Sequence, residues 1–298
     1  MERRTFIQNT GIVGGAAMLP LVGFSNLKQP KFKLGYQLYS IRDEMAKNPI
    51  ATLKALKAMG YQDFETYGYD AQKNMFYGFT ASEFNLILED LNLTVTSGHY
   101  GFAPFLKQSD EALKKYVDCC IVGAKAVNSK YITWPFIEPE QRNLEAYKLM
   151  PHKLNLIGKQ VNEAGLGFAY HNHGYEFEDQ GGTNGFEIIL NETDPEYVKF
   201  QMDMYWVMHA EKYTPKELVA ANPRRYVMWH IKDMDKITRD YSELGNGSIN
   251  YHNILPDPVA SGSVSTTSAF PPTSPSNKIL PACSVAVMAS VSTNECMA

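Results

Sequence analysis

Three short stretches of this chain concentrate residues able to bind a cation or move a proton. In the run Phe168-Ala169-Tyr170-His171-Asn172-His173-Gly174-Tyr175-Glu176, two histidines stand two residues apart at the end of a β-rich segment. Side chains alternate across a strand, so His171 and His173 are expected on one face. Two imidazoles so placed make a common half of a metal site. Asp203 lies within the apolar run Phe200 to Trp206, where an acidic group is rare unless it is paired or bound to a cation. Its ordinary alternative is a helix N-cap. The run Val227 to Asp233 holds His230 between apolar neighbours, with Lys232 two residues on and sharing its face. Asp233 either orients an imidazole or caps a turn. Weaker candidates are Glu65, between a strand-end and a surface reading, and His99, which either faces a substrate or caps a helix.

These residues fall at the ends of strands in an alternating βα pattern. Strand-like runs cover Leu34–Ser40, Asp63–Tyr67, Leu93–Ser97, Tyr131–Trp134, Gly167–His173, Val198–Met202 and Tyr226–Ile231. Helical runs follow at Ile50–Met59, Ser82–Leu91, Asp110–Val122, Pro139–Ala164, Gly185–Leu190 and Pro215–Ala221. Strands alternating with helices argue for βαβ units and a parallel sheet. Polar residues gathered just after strands favour an α/β barrel of the TIM type. An open dinucleotide-binding sheet would carry GxGxxG after its first strand, and none is present.

Composition narrows the class further. The 298 residues carry 28 Lys and Arg against 32 Asp and Glu, a net charge of −4. A general nucleic-acid binder needs the opposite balance to displace counterions from phosphates. The four cysteines, Cys119, Cys120, Cys283 and Cys296, form neither a zinc spacing nor a disulfide framework. The adjacent pair falls in a helical run, where cysteine behaves as a small hydrophobe.

The two ends differ from the middle. Arg3-Arg4-Thr5-Phe6 precede an apolar run from Gly11 to Phe24, too short and glycine-rich for a membrane span. Residues 1–25 are therefore expected to be an export signal, twin-arginine-like or general secretory, leading to the periplasm. The barrel domain is expected over 33–260. From Ser261 onward the chain has nine Ser, four Thr and four Pro, with only Lys278 and Glu295 charged. Such a segment offers neither strand nor helix patterning, yet a barrel needs an eighth strand to close. Residues 261–298 are expected to be a disordered or aberrant tail, as a frame shift after Gly262 would produce. The eighth βα unit is then missing or aberrant, and strand seven keeps an open edge.

Taken in order, Tyr170-His171-Asn172-His173-Gly174, Met202-Asp203, Trp229-His230-Ile231-Lys232-Asp233 and Leu244-Gly245-Asn246-Gly247-Ser248-Ile249 resemble the xylose isomerase-like barrel superfamily. More narrowly, they resemble its sugar phosphate isomerase/epimerase branch, over about Lys33 to Ser261. The resemblance implies a TIM barrel with one divalent ion (Mn, Mg, Zn or Co), held by Glu, Asp, His and Glu from strands five to eight. Asp203 matches the aspartate and His230 the histidine; His173 or His171 stands near the first glutamate, and the last has no counterpart. The expected ligands are thus His173, Asp203 and His230. The implied chemistry is proton abstraction α to a carbonyl through an enediolate, with His171, His173 and Lys232 as proton carriers and Glu65 and Glu176 in reserve. His99, Trp134, Glu176 and Trp206 are the expected substrate contacts. The alternatives are a dehydratase acting on a keto-sugar or inosose, and a sugar-binding protein without catalysis. A cluster-metal endonuclease would need more ligands than the chain supplies. The expected partner is a small sugar, with no nucleic acid, no membrane once the signal is cleaved, and oligomers allowed.

Overall fold

The computed structural model describes residues 35–255 and the backbone of 285–287. The export segment expected at 1–25 and all but three residues of the tail lie outside the described residues.

Seven parallel strands form one curled sheet in chain order: β1 (Gly35–Gln37), β2 (Asp63–Thr66), β3 (Thr94–His99), β4 (Tyr131–Trp134), β5 (Gly167–His171), β6 (Lys199–Asp203) and β7 (Tyr226–Ile231). Each strand lies beside its sequence neighbour, and the whole is an incomplete α/β barrel. Beside β7 an open edge was expected. Instead the backbone of β8 (Val285–Val287) pairs there antiparallel, Val285 opposite Ile231 and Val287 opposite Trp229. A regular eighth unit would run parallel, delivered by a crossover helix. An antiparallel strand needs no such helix, so a three-residue piece can satisfy part of the edge.

Local signals set the helices. The helix α1 (Pro49–Ala58) starts with proline in its first turn behind an Asn48 cap. A capping box of Thr80 and Glu83 opens α2 (Ala81–Asp90), and Ser109 caps α3 (Asp110–Ala126). The long expected helix over 139–164 is broken: a short 3-10 turn, Pro139–Gln141, precedes α4 (Leu144–Glu163), which begins behind its own Asn143 cap. The cap restarts the helix because its amide side chain accepts from Ala146 N at 3.0 Å. The next helix, α5 (Gly185–Glu192), is capped by Asn184. Short helices at Arg42–Lys47 and Tyr251–Ile254 were not anticipated, nor was α6 (Met204–Ala210), which begins directly at Asp203. A second capping box, Thr214 with Glu217, opens α7 (Pro215–Ala221).

Strand residues are buried on both faces, as in parallel sheets covered by helices. Outward residues such as Phe168, Tyr170, Phe200 and Met202 pack with the helix faces, including Leu154, Ile157 and Val161 of α4. Cys120 belongs to this core and Cys119 is half-buried; both are free thiols. Ala169, Val227 and Met228 form a small apolar cluster of their own. Ala169 lies two residues before His171 and Met228 two before His230, each pair sharing a strand face. An apolar layer thus gives way to a polar one toward the strands' C-terminal ends, where barrels of this kind carry their sites.

Candidate active site

The polar layer is organised around Glu65, a fully buried carboxylate one residue from the end of β2. Its Oε1 lies 2.8 Å from Nε2 of His99 and 2.8 Å from Nε2 of His230. The Gln37 amide donates to the same oxygen at 2.5 Å. Ser97 and Gln201 donate to Oε2, and Ser97 Oγ also lies 3.2 Å from Thr133 Oγ1. Four strands therefore aim five side chains at a single carboxylate: one each from β1, β6 and β7, and two from β3. Burial alone would raise this carboxyl, but the imidazoles of His99 and His230 bring it well below the usual carboxylate range.

Three histidines converge beside it. His99 ends β3, His171 ends β5 and His230 sits one residue before the end of β7. One ring nitrogen from each lies within 4.8 Å of the other two. The His171 and His230 rings are 4.5 Å apart, and those of His171 and His99 5.2 Å. Burial, then the neighbouring His230, His173, His99 and Lys232, hold His171 well below the ordinary histidine range. It is therefore neutral, the form that binds a metal. Its Nδ1 is buried and has no hydrogen-bond partner among the described residues. A buried nitrogen of this kind can give its lone pair to an ion, and with the rings of His99 and His230 beside it the group matches the three-histidine set of catalytic zinc sites. The residues present fit a divalent ion.

That set differs from the expected one. His173 was placed on the strand face of His171, but β5 ends at His171 and the chain turns at once. The His173 ring stacks on Tyr175 at 5.1 Å, with Nδ1 3.2 Å from the Tyr175 hydroxyl. Asp203 is fully buried at the end of β6. One oxygen caps α6 through Trp206 N at 3.4 Å, so the ordinary cap role is realised; the other lies 2.5 Å from Lys232 Nζ and 3.7 Å from His171 Nε2. Its main cation is a lysine. The two strands hold Asp203 opposite His230 in register.

Among the other expected residues, Lys232 lies just past β7 with its Nζ 6.0 Å from the Trp206 ring and 5.4 Å from that of Tyr241. Trp206 also stands 5.8 Å from the His173 ring, so it lies between two proton-carrying groups. Glu176 is fully buried rather than open to a substrate. It accepts from the Tyr170 hydroxyl at 2.6 Å and from His173 N at 2.8 Å, which anchors the turn after β5. Burial pushes its carboxyl up to about 7. Trp134 is a core residue: fully buried against Phe102, it spends its indole N–H on the Phe136 carbonyl at 2.8 Å. Its position at a strand end misled because β4 alternates, and position 134 falls on the helix-facing side.

Sequence reasoning overlooked Gln37, Ser97 and Gln201. The signal that marked Asp203, a polar residue inside an apolar strand, also marks Gln201 two residues earlier in Lys199-Phe200-Gln201-Met202-Asp203. Asn172 was missed too: its amide accepts from Asp203 N at 3.0 Å and donates to Asp203 O at 3.4 Å, locking the ends of β5 and β6 together. Asp233 proves to hold a turn. Its two oxygens accept the backbone N–H groups of Met234, Gly245, Gly247 and Ile249 at 2.9 to 3.1 Å.

No curated protein matches the chain. A solved sugar phosphate isomerase/epimerase from Parabacteroides distasonis is 27% identical, with TM-score 0.65, covering 77% of this chain and 86% of its own. A second from the same organism is 25% identical, with TM-score 0.62, 79% and 85% being covered. The IOLI protein, solved with a binding zinc atom, shares the fold at 14% identity and TM-score 0.57, with 74% and 82% covered. The family model for xylose isomerase-like TIM barrels matches residues 53–256. With its strand-end polar layer and this match over most of its length, the chain belongs to the xylose isomerase-like TIM-barrel family.

Proposed function

We propose that this protein is a divalent-metal-dependent sugar isomerase or epimerase, exported to the periplasm and acting on a free or glycosidic keto-sugar. The observation that carries the reading is the convergence of His99, His171 and His230 within 4.8 Å, beside Trp206 flanked by Lys232 and His173. The three histidines would hold the ion, which when bound supplies Lewis-acid polarisation of a substrate carbonyl.

The remaining work falls to the chain's own side chains. Burial first, then Lys232 and the neighbouring His99 and His230 rings, hold His173 well below the ordinary histidine range. A neutral imidazole can accept a proton from the carbon next to the carbonyl. Lys232 carries a proton held in place by Asp203 at 2.5 Å, ready to be given to the substrate at another position or face. Trp206 offers a ring for the sugar's apolar face to stack on. Its place between base and acid sets the substrate where both can reach it.

Solvent-deuterium exchange at the α-carbon of a panel of keto-sugars tests the proposal. Exchange that requires a divalent ion and is lost with chelator supports it. Binding of sugar without exchange would leave a non-catalytic binding protein, and loss of water from the substrate a dehydratase. Sequencing the mature N-terminus from the native host tests export; a retained Met1 counts against it.

A further inference from the structure

We infer that Glu65 is the positioning carboxylate of the metal centre, and that Asp203 serves Lys232 instead; this rests on the metal reading above. The evidence is in which atoms each ring nitrogen faces. His99 Nε2 lies 2.8 Å from Glu65 Oε1 and 2.8 Å from Gln201 Oε1, both acceptors. The proton of the ring therefore sits on Nε2. Its Nδ1 faces the Gln37 amide at 3.2 Å, a donor, and so carries the lone pair. The roles of the two glutamines agree with this. Gln37 gives its N–H groups to Glu65 and His99 while its oxygen accepts from Tyr39 N at 2.7 Å; Gln201 gives N–H to Glu65 and accepts from His99.

His230 follows the same logic. Its Nε2 donates to Glu65 Oε1 at 2.8 Å, which leaves the lone pair on Nδ1. One carboxylate on β2 thus sets the same tautomer in rings from β3 and β7. The third ring, His171, has its Nδ1 buried and unpartnered among the described residues. A carboxylate that accepts the outer N–H of a ligating histidine fixes the ring and strengthens it as a donor, and losing it typically costs 10- to 100-fold in metal affinity. Glu65 has this relation to His230; it holds His99 by the same Nε2–H, while the Nδ1 of that ring accepts from Gln37 and would exchange that bond for the ion. Asp203, by contrast, has one oxygen in a helix cap and the other against Lys232.

Titration of the chelator-stripped full chain with Zn²⁺, read by competition with a chromophoric chelator, separates the alternatives. Wild type is expected to bind one equivalent. Glu65→Gln should weaken binding about 10- to 100-fold, and Asp203→Asn less than about tenfold. Equal binding by Glu65→Gln and wild type, or a larger loss in Asp203→Asn, overturns the inference and leaves the metal reading intact. Absence of one-to-one binding by wild type sinks both. Long-range ¹H–¹⁵N spectra of the wild-type histidines need no variant: Nε2–H tautomers of His99 and His230 support the assignment. A proton on Nδ1 of either ring, alone or with Nε2, overturns it.

Discussion

Glu65 and Glu176 are both fully buried glutamates at the same end of the sheet, yet they are driven in opposite directions. Around Glu65, two imidazoles, two amides and a hydroxyl all present hydrogens. Around Glu176 there are one tyrosine hydroxyl and one backbone N–H. Burial penalises the charge in both. Only where groups able to carry positive charge face the carboxylate is the penalty overcome. The first is therefore an anion that organises a site, and the second a carboxyl that anchors a turn and titrates near neutrality.

The comparison can be broken most forcefully at Glu65. Glu65→Ala strips the partner from five buried donors, and leaving buried polar groups unpaired should lower the unfolding free energy by about 3–5 kcal/mol. Urea denaturation measures it; a loss under about 1 kcal/mol would mean that water or rearranged side chains replace the carboxylate. At the Asp203–Lys232 pair the expected effect is on turnover. Lys232→Met should cut α-proton exchange by about 10²-fold or more, since it removes a proton carrier. An unchanged rate would assign the proton transfer elsewhere.

Glu176 tests the other half of the comparison through pH. Its folded-state value, about 7, lies above the usual 4.5. Between those values the native protein holds a proton that the unfolded chain has released. The stability this contributes is complete below about pH 4.5 and is lost as pH rises through about 7, on the order of 3 kcal/mol in all. The unfolding free energies of wild type and Glu176→Gln should therefore diverge over that window, wild type falling relative to the variant. Parallel curves would mean that Glu176 is ionised throughout. The smallest effect concerns Asp233, a third carboxylate partnered by backbone N–H groups. A methyl at Gly247 would collide with its carboxylate. Gly247→Ala should cost about 1–3 kcal/mol by overpacking, and an unchanged thermal midpoint would show that the 244–249 turn yields freely.

The barrel itself was readable because its cause is local. Apolar runs of strand length alternate with helices announced by caps such as Thr80 with Glu83, Ser109 and Thr214 with Glu217, and each such signal acts within a few residues. The same locality limited the reading of the site. Periodicity put His173 on the face of His171, because nothing nearby in sequence announces that β5 stops at His171. Trp134 was mistaken for a site residue because one strand's inward face cannot be told from its outward face without the neighbours it packs against.

What the sequence determined alone is the series of βα units and the kinds of side chain delivered to strand ends: His99, His171, Asp203, His230 and Lys232. What only the tertiary structure decided is their partnership. Glu65 and His230 are 165 residues apart in sequence, and Gln201 and Glu65 are 136 apart. Their meeting depends on the sheet curling until β2 and β7 share one interior. No local pattern encodes that closure, because it comes from the summed twist and stagger of all the strands. Whether a buried carboxylate becomes an anchor for histidines, a helix cap or a proton store is settled by what that curvature brings against it.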